Sequence, residues 1–383
     1  MKMILSGSLL LASFSLFAQV DQSDPQIKDM FVPAKEIHAD EVPRLNDDGD
    51  IQLLLKAINR QESAFKRKPL TGDLVIGGQR FSMSILKRTV EAFKLLVVKL
   101  EDCRQTQSHQ ICQQNFEDDM KTYFRWYRPD IDHQSKAHFT GYYSPTFDAT
   151  QARTQSHMYG VYKKPTDETL RTATRNQILF QDRLEGQNLE LFYLTDPFEL
   201  YLLHIEGGGV VEYLEQGVKK QAYISYDGTN SQSFKFIGPY MKSQGYIKDL
   251  SIQSQRAFLK KNPHKWSEIY AQCPNFIYFQ ITKSEPLGME SIPLTPGRSK
   301  AQDKSIFWRK GIMGFVATQK PVMPTAKNQK PKVPLTRFFI DQDTGGAIRG
   351  EARADLYFGY GPEAQFLAEN LSEQGDLFFF LLR

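Results

Sequence analysis

The hydrophobic spacing of this chain changes character between Tyr127 and Phe139, and that change limits the folds open to it. Before it, apolar residues recur at helical spacing. Ile51, Leu54, Leu55, Ile58 and Phe65 share one face of a predicted helix over 51–66, behind acidic Asp47, Asp48 and Asp50. Ile85, Leu86, Thr89, Phe93, Leu96, Val97 and Leu100 mark a second helix over 84–103. Phe116, Met120, Tyr123, Phe124 and Tyr127 mark a third over 112–127. Stripes of this kind are most simply core. From Phe139 onward the texture is of short β-rich runs divided by Gly, Pro, Asn and Asp. Strands are predicted at 159–162, 189–194, 200–205, 210–214, 222–226, 276–281, 312–318, 336–340 and 377–382, with helices at 238–242, 251–261 and 363–373. Helices followed by many short strands imply an α+β fold, mainly β.

At 383 residues the chain suits two domains, and its 40% hydrophobic and 12% aromatic content is ample for packed cores. The formal charge of +4 is compatible with an anionic polymer and far too weak to argue nucleic acid. Residues 1–18 read as a secretory signal: Lys2, an uncharged apolar Ile4–Phe17 run, and small Ala18. The run is short for a membrane-spanning helix. Residues 19–45, with Pro25, Pro33 and Pro43, read as an extended linker. Cys103 and Cys112 could close a short disulfide loop in an oxidising compartment, or be small buried residues as Cys273 is expected to be; both readings stay open. No metal pattern emerges from the seven scattered histidines, and Asn46–Asp50 lacks the terminal Glu of a calcium loop, so it reads as a helix-capping loop.

The chemistry concentrates near the C-terminus. Asp343 and Asp355 lie in a glycine-dense stretch that follows the apolar run ending at Ile340. It reads as strand, tight turn, strand, with acids at the edges. Backbone folded closely around a carboxyl desolvates it and raises its pKa, as a general acid requires. The plain alternative is two turn-forming aspartates.

Asp343-Thr344-Gly345-Gly346-Ala347-Ile348 with Arg353-Ala354-Asp355 resembles the signature of the 3D domain, whose third aspartate would be Asp303. Upstream, Thr140–Pro145, Leu194–Pro197, His204–Gly209, Pro274–Phe279 and Pro293–Pro296 follow in the order of the membrane-bound lytic murein transglycosylase A family, from about Phe139 to the C-terminus. The resemblance implies a double-psi β-barrel from residues 46–145 plus 275–383, including the 3D region. A smaller β-rich glycan-binding domain, 146–274, would be inserted, with a groove between the two. It implies cleavage of the β-1,4 bond between N-acetylmuramic acid and N-acetylglucosamine with formation of a 1,6-anhydromuramyl end. Asp355 would be the acid and then the base, with Asp343 raising its pKa. Asp303 would organise a turn, and Thr140, Tyr142 and Tyr143 would line the groove, only one of the two tyrosines facing the sugar because strand side chains alternate. Glu206 and Gly207 fall in a sugar-binding block. No cofactor is implied. Peptidoglycan strands are the expected partner, with other cell-wall enzymes as further partners, and the chain is expected to be monomeric. Many members carry a lipid on a cysteine after the signal; none follows here, so a soluble periplasmic protein is expected.

Two blocks depart from the family. Glu206-Gly207-Gly208-Gly209 stands for Gln-Gly-Ser-Gly, and Asn230-Ser231-Gln232-Ser233-Phe234 for Asn-Gly-His and an aromatic. They motivate a second reading, a peptidoglycan-binding protein with weak or no turnover. The Asp343-Thr344-Gly345 triplet also occurs in aspartic proteases, but those need two copies to share one proton, and this chain has one.

Overall fold

A computed structural model describes residues 29–131, 136–282, 285–324, 331–345 and 348–383. The 1–18 signal, the start of the 19–45 linker, and Gly346-Ala347 lie outside the described residues. The fold is α+β, and the chain divides into two compact units. One covers Ser144–Pro286; the other combines the described residues 29–143 with Leu287–Arg383.

Three helices lie in the N-terminal half of the second unit, α1 (Ile51–Arg67), α2 (Ile85–Thr106) and α3 (His109–Tyr123). Asp50 caps α1 by accepting the Gln52 N–H at 2.7 Å, as its place before the apolar stripe predicts. A Cys103–Cys112 disulfide links the end of α2 to α3. The stripes bury Leu54, Ile58, Phe93, Val97, Phe116 and Met120 against strand residues including Phe315, Phe338 and Phe380. The Phe93 ring lies 4.9 Å from Phe338 and 5.2 Å from Phe380. Truncating such a residue costs about 3–5 kcal/mol.

Six strands form a ring: β1 (Ala137–Ser144), β2 (Ser299–Ala301), β3 (Met313–Pro321), β4 (Lys332–Asp343), β5 (Arg353–Tyr360) and β6 (Ser372–Leu382). Their order is β3-β4-β2-β5-β1-β6, and pairing of β6 with β3 closes the ring into a barrel. Closure removes exposed edges. Short β2 runs parallel to β4 and antiparallel to β5, so it sits between the two acid-bearing strands.

Three expectations about this unit are corrected. The third helix stops at Tyr123, and Phe124–Pro129 is a strand because β6 and Ala34–Ile37 pair along its two edges. The helix predicted over 363–373 ends at Asn370, since β6 begins at Ser372 and pairs with β1. Part of the expected linker is folded: Met30–Val32 pairs with Asp73–Ile76, and Met30 is fully buried.

The Ser144–Pro286 unit is built on one six-stranded sheet, ordered Ile277–Thr282, Val218–Thr229, Gly208–Glu215, Thr146–Thr150, Glu190–Leu194, Tyr159–Tyr162. The predicted strand over 200–205 is instead helix α4 (Pro197–Glu206). Asp196 accepts from the Phe198 and Glu199 N–H groups at 2.8 and 2.9 Å, Pro197 occupies the first turn, and Gly207 ends the helix at φ +69°. Its apolar run misleads because both faces are buried. Leu200 and Leu203 pack on the sheet cluster; Phe198, Tyr201 and Ile205 pack in a second, helical one.

Candidate active site

Asp355 is the third residue of β5 and is buried to 7% exposure. Its two carboxylate oxygens differ. Oδ1 accepts from the Thr140 hydroxyl on β1 and from Arg353 Nη1 at 2.9 Å, while Arg353 Nη2 donates to Thr140 Oγ1 at 2.7 Å. Oδ2 has no partner among the described residues. Arg353 and Asp355 share a face of β5 because strand side chains alternate. Burial raises the Asp355 pKa, opposed by Arg353, then by Thr140 and His138. The expected cause, a like charge on Asp343, is corrected: in sheet register the two acids flank Ala301 from opposite sides, so their Cα atoms are two strand spacings, about 10 Å, apart.

Asp343 ends β4. A register shift between Lys300 and Ala301 leaves Gln342 unpaired there, a bulge that re-aims the strand end. Buried Gln342 turns to α1, donating to Ala57 O at 3.2 Å and accepting from Ser299 Oγ at 2.6 Å. Asp343 Oδ2 accepts from the Tyr142 hydroxyl at 2.9 Å, and the Tyr142 ring lies 5.1 Å from that of Tyr357. Burial pushes Asp343 up to about 6, against hydrogen bonds from the Thr344 N–H and Tyr142. Burial and Asp343 in turn carry the Tyr142 phenol well above its ordinary range. Thr140 and Tyr142 thus come together with the two acids. Tyr143 belongs to the opposite face of β1 by alternation.

Asp303 accepts from Ser305 N and Oγ at 2.9 and 2.7 Å and from Gly350 N at 2.9 Å. Burial opposes its ionisation, yet these bonds prevail and hold its carboxyl below the usual range. It therefore ties the turn after β2 to the segment between β4 and β5. Gly350, at φ +83°, takes a conformation that glycine adopts without strain.

In the other unit, Glu206 is the last residue of α4, half-buried, and Gly207 is its C-cap. Glu206 has no hydrogen-bond or ion-pair partner among the described residues, and burial pushes its carboxyl up to about 7. The second departing block has a structural anchor: buried Asn230 donates to Ala173 O and Pro274 O, both at 2.8 Å, and accepts from Phe276 N at 2.8 Å. Ser231 beside it is exposed, at φ +60°. Among the described residues no group of three or more His, Cys, Asp or Glu side chains could hold a metal ion.

The place of Arg353 two residues before Asp355 on a strand is the sequence signal of their shared face. No sequence pattern reveals the pairing of Lys310 with Asp341.

Residues 138–280 match the family model of the MltA specific insert domain, and residues 298–381 match that of the 3D domain. The chain is MltA-like and carries a 3D domain. Among curated relatives, membrane-bound lytic murein transglycosylase A of Vibrio cholerae serotype O1 is 28% identical over 237 residues, 61% of this chain and 62% of the relative. The Escherichia coli K12 protein of that name is 26% identical over 243 residues, 62% of this chain and 64% of its own length. The MltA-like chain thus spans a little over three fifths of the length of these curated relatives. Among solved structures, MltA from Neisseria gonorrhoeae superposes with a TM-score of 0.65 at 22% identity, covering 91% of this chain and 92% of that one. Escherichia coli MltA with bound chitohexaose gives 0.62 at 19%, covering 94% and 97%. These likenesses bear on the fold. Among the described residues no helix is long and apolar enough to cross a membrane.

Proposed function

We propose that this chain is a lytic murein transglycosylase that uses Asp355 as its single acid and base. The observation that carries the reading is the asymmetry of the Asp355 carboxyl. Oδ1 is fixed by Thr140 and Arg353, whereas Oδ2 is left for a proton and a substrate. Burial favours the protonated form, and Arg353 and Thr140 receive the charge once the proton leaves.

In the first step Oδ2–H protonates the glycosidic oxygen as the bond from the muramyl anomeric carbon to that oxygen breaks. In the second, the muramyl 6-hydroxyl oxygen bonds to the anomeric carbon and returns its proton to the Asp355 carboxylate. The atoms balance without water, so one carboxyl suffices where glycoside hydrolases ordinarily use two. Asp343 acts at one remove, by orienting Tyr142, whose ring and hydroxyl would meet the sugar. Thr140 holds Asp355, Asp303 holds the loop, and Glu206 and Gly207 are assigned to glycan contacts, while Tyr143, on the opposite face of β1 from Tyr142, is left out of them. We read the Ser144–Pro286 unit as the glycan-binding insert. Glycan binding is supported by the relative with bound chitohexaose.

The apolar Ile4–Phe17 run and the Cys103–Cys112 disulfide support a secreted, periplasmic location. Mass spectrometry of soluble products from purified sacculi tests the activity, because anhydro and hydrolytic ends differ by one water. Anhydromuropeptides are the expected product. Reducing ends alone would make the chain a hydrolase, and no release would leave it a binding protein.

A further inference from the structure

The barrel unit buries two lysines and an aspartate completely: Lys300, Lys310 and Asp341 have no exposed surface. Lys310 Nζ donates to Asp341 Oδ1 and Oδ2 at 3.2 and 3.1 Å, and to the main-chain carbonyl of Asp343 at 2.8 Å. That carbonyl also accepts from Gln302 N at 3.3 Å. Gln302 Oε1 in turn accepts from Lys300 Nζ, which lies over the Phe307 and Phe379 rings at 5.8 and 5.4 Å. Every donor in the cluster thus converges on the last residue of β4 or on the groups that hold it.

Stability gives no reason for such a cluster, since apolar residues of similar volume often serve as well as a buried ion pair or better. Two things an apolar replacement could not supply are a donor to the Asp343 carbonyl and a positive charge beside its carboxylate. The position needs both. Beyond Asp343 the chain leaves the ladder, with Gly345 and Gly350 in the segment before β5. A free strand end there would let the carboxylate drift from Tyr142.

We propose that Lys310, held by Asp341, is a positioning residue that clamps the main chain at the end of β4 and so fixes the Asp343 carboxylate against Tyr142. The proposal rests on the transglycosylase reading for its effect on turnover, but not for its effect on Asp343. The titratable and charged groups facing Asp343 are Tyr142 from β1, Asp341 from its own strand, and Lys310 from the segment before β3. Those facing Asp341 are Lys310, Lys300 from β2, and Glu290 from the Met289–Ser291 turn.

The test uses the full chain as Lys310→Met, Asp341→Asn and the double variant Lys310→Met/Asp341→Leu. The Asp343 carboxyl is titrated by carbon NMR, with Asp343→Asn to assign the signal. Removing the cation should move the Asp343 midpoint above about 6, and removing the like charge should move it below. The opposite signs report the two charges beside Asp343, and the split between kcat and KM in the double variant reports the clamp. Lys310→Met alone strands a buried carboxyl, so the double variant guards against misfolding. It should melt near the parent with KM unchanged and kcat lowered about 10- to 100-fold, the scale of a misplaced site. An unmoved Asp343 midpoint in folded single variants, or parental kcat in the folded double variant, overturns the proposal. If the parent forms no anhydro ends, the functional reading falls, and the Asp343 titration still decides the clamp.

Discussion

Asp355 on β5 and Glu206 at the end of α4 are both carboxyls that burial pushes toward the protonated form, yet their surroundings suit them to different work. Among the described residues Asp355 has Arg353 and Thr140 on one oxygen and no partner on the other. The Glu206 carboxyl has no partner among the described residues, and it lies at a helix C-terminus, where the backbone dipole disfavours a negative charge. Only the first can release a proton into an arrangement ready for the anion. The lesson is that a raised pKa does not mark an acid catalyst; a raised pKa beside a preformed counter-charge does.

The largest expected effect tests that distinction directly. Asp355→Asn keeps the size but delivers no proton, so turnover should fall by about 10²- to 10⁴-fold, with sacculus binding and melting temperature retained. Product release at the parental rate, measured by chromatography of soluble muropeptides, would remove Asp355 from the mechanism.

Arg353→Gln sharpens the comparison by making Asp355 resemble Glu206. Losing the guanidinium removes the main influence holding the Asp355 pKa down, so that pKa rises. Because the protonated form is the active acid, the alkaline limb of the pH–rate profile should move to higher pH. The maximal rate should drop about tenfold or more, since the carboxylate loses a charge-assisted hydrogen bond. An unmoved limb in a folded variant would show that Arg353 serves only the strand.

The smallest effect is expected at Glu206. Its folded pKa, about 7, lies above the ordinary 4.5, so its favourable contribution is complete below pH 4.5 and is lost as pH rises through about 7. Glu206→Gln should abolish that decline and raise the melting temperature above pH 7 by about 2–4 °C. Glycan affinity should lose any step near pH 7. Parallel melting curves for parent and variant across pH 4 to 8 would show that Glu206 is ordinarily solvated.

The sequence alone determined the α1 and α2 stripes, the Asp50 cap, most strands after Phe139, and the two acids at the edges of a strand–turn–strand unit. These depend on neighbours a few residues away, which periodicity and capping chemistry record. Thr140, Tyr142 and Asp303 were pointed to by the family-like blocks, and their hydrogen-bond partners come from the tertiary structure. Tertiary structure decided the rest. Phe124–Pro129 became a strand because β6 and Ala34–Ile37 offered it partners, and 200–205 became a helix whose two buried faces erase amphipathic spacing. It decided that Ala301 stands between Asp343 and Asp355, so that each acid answers to its own neighbours rather than to the other. It also brought Lys310 to the carbonyl of Asp343, 33 residues away. Local sequence encodes which groups are present and what backbone they favour; which charge meets which depends on strand order and register, set only when the barrel closes.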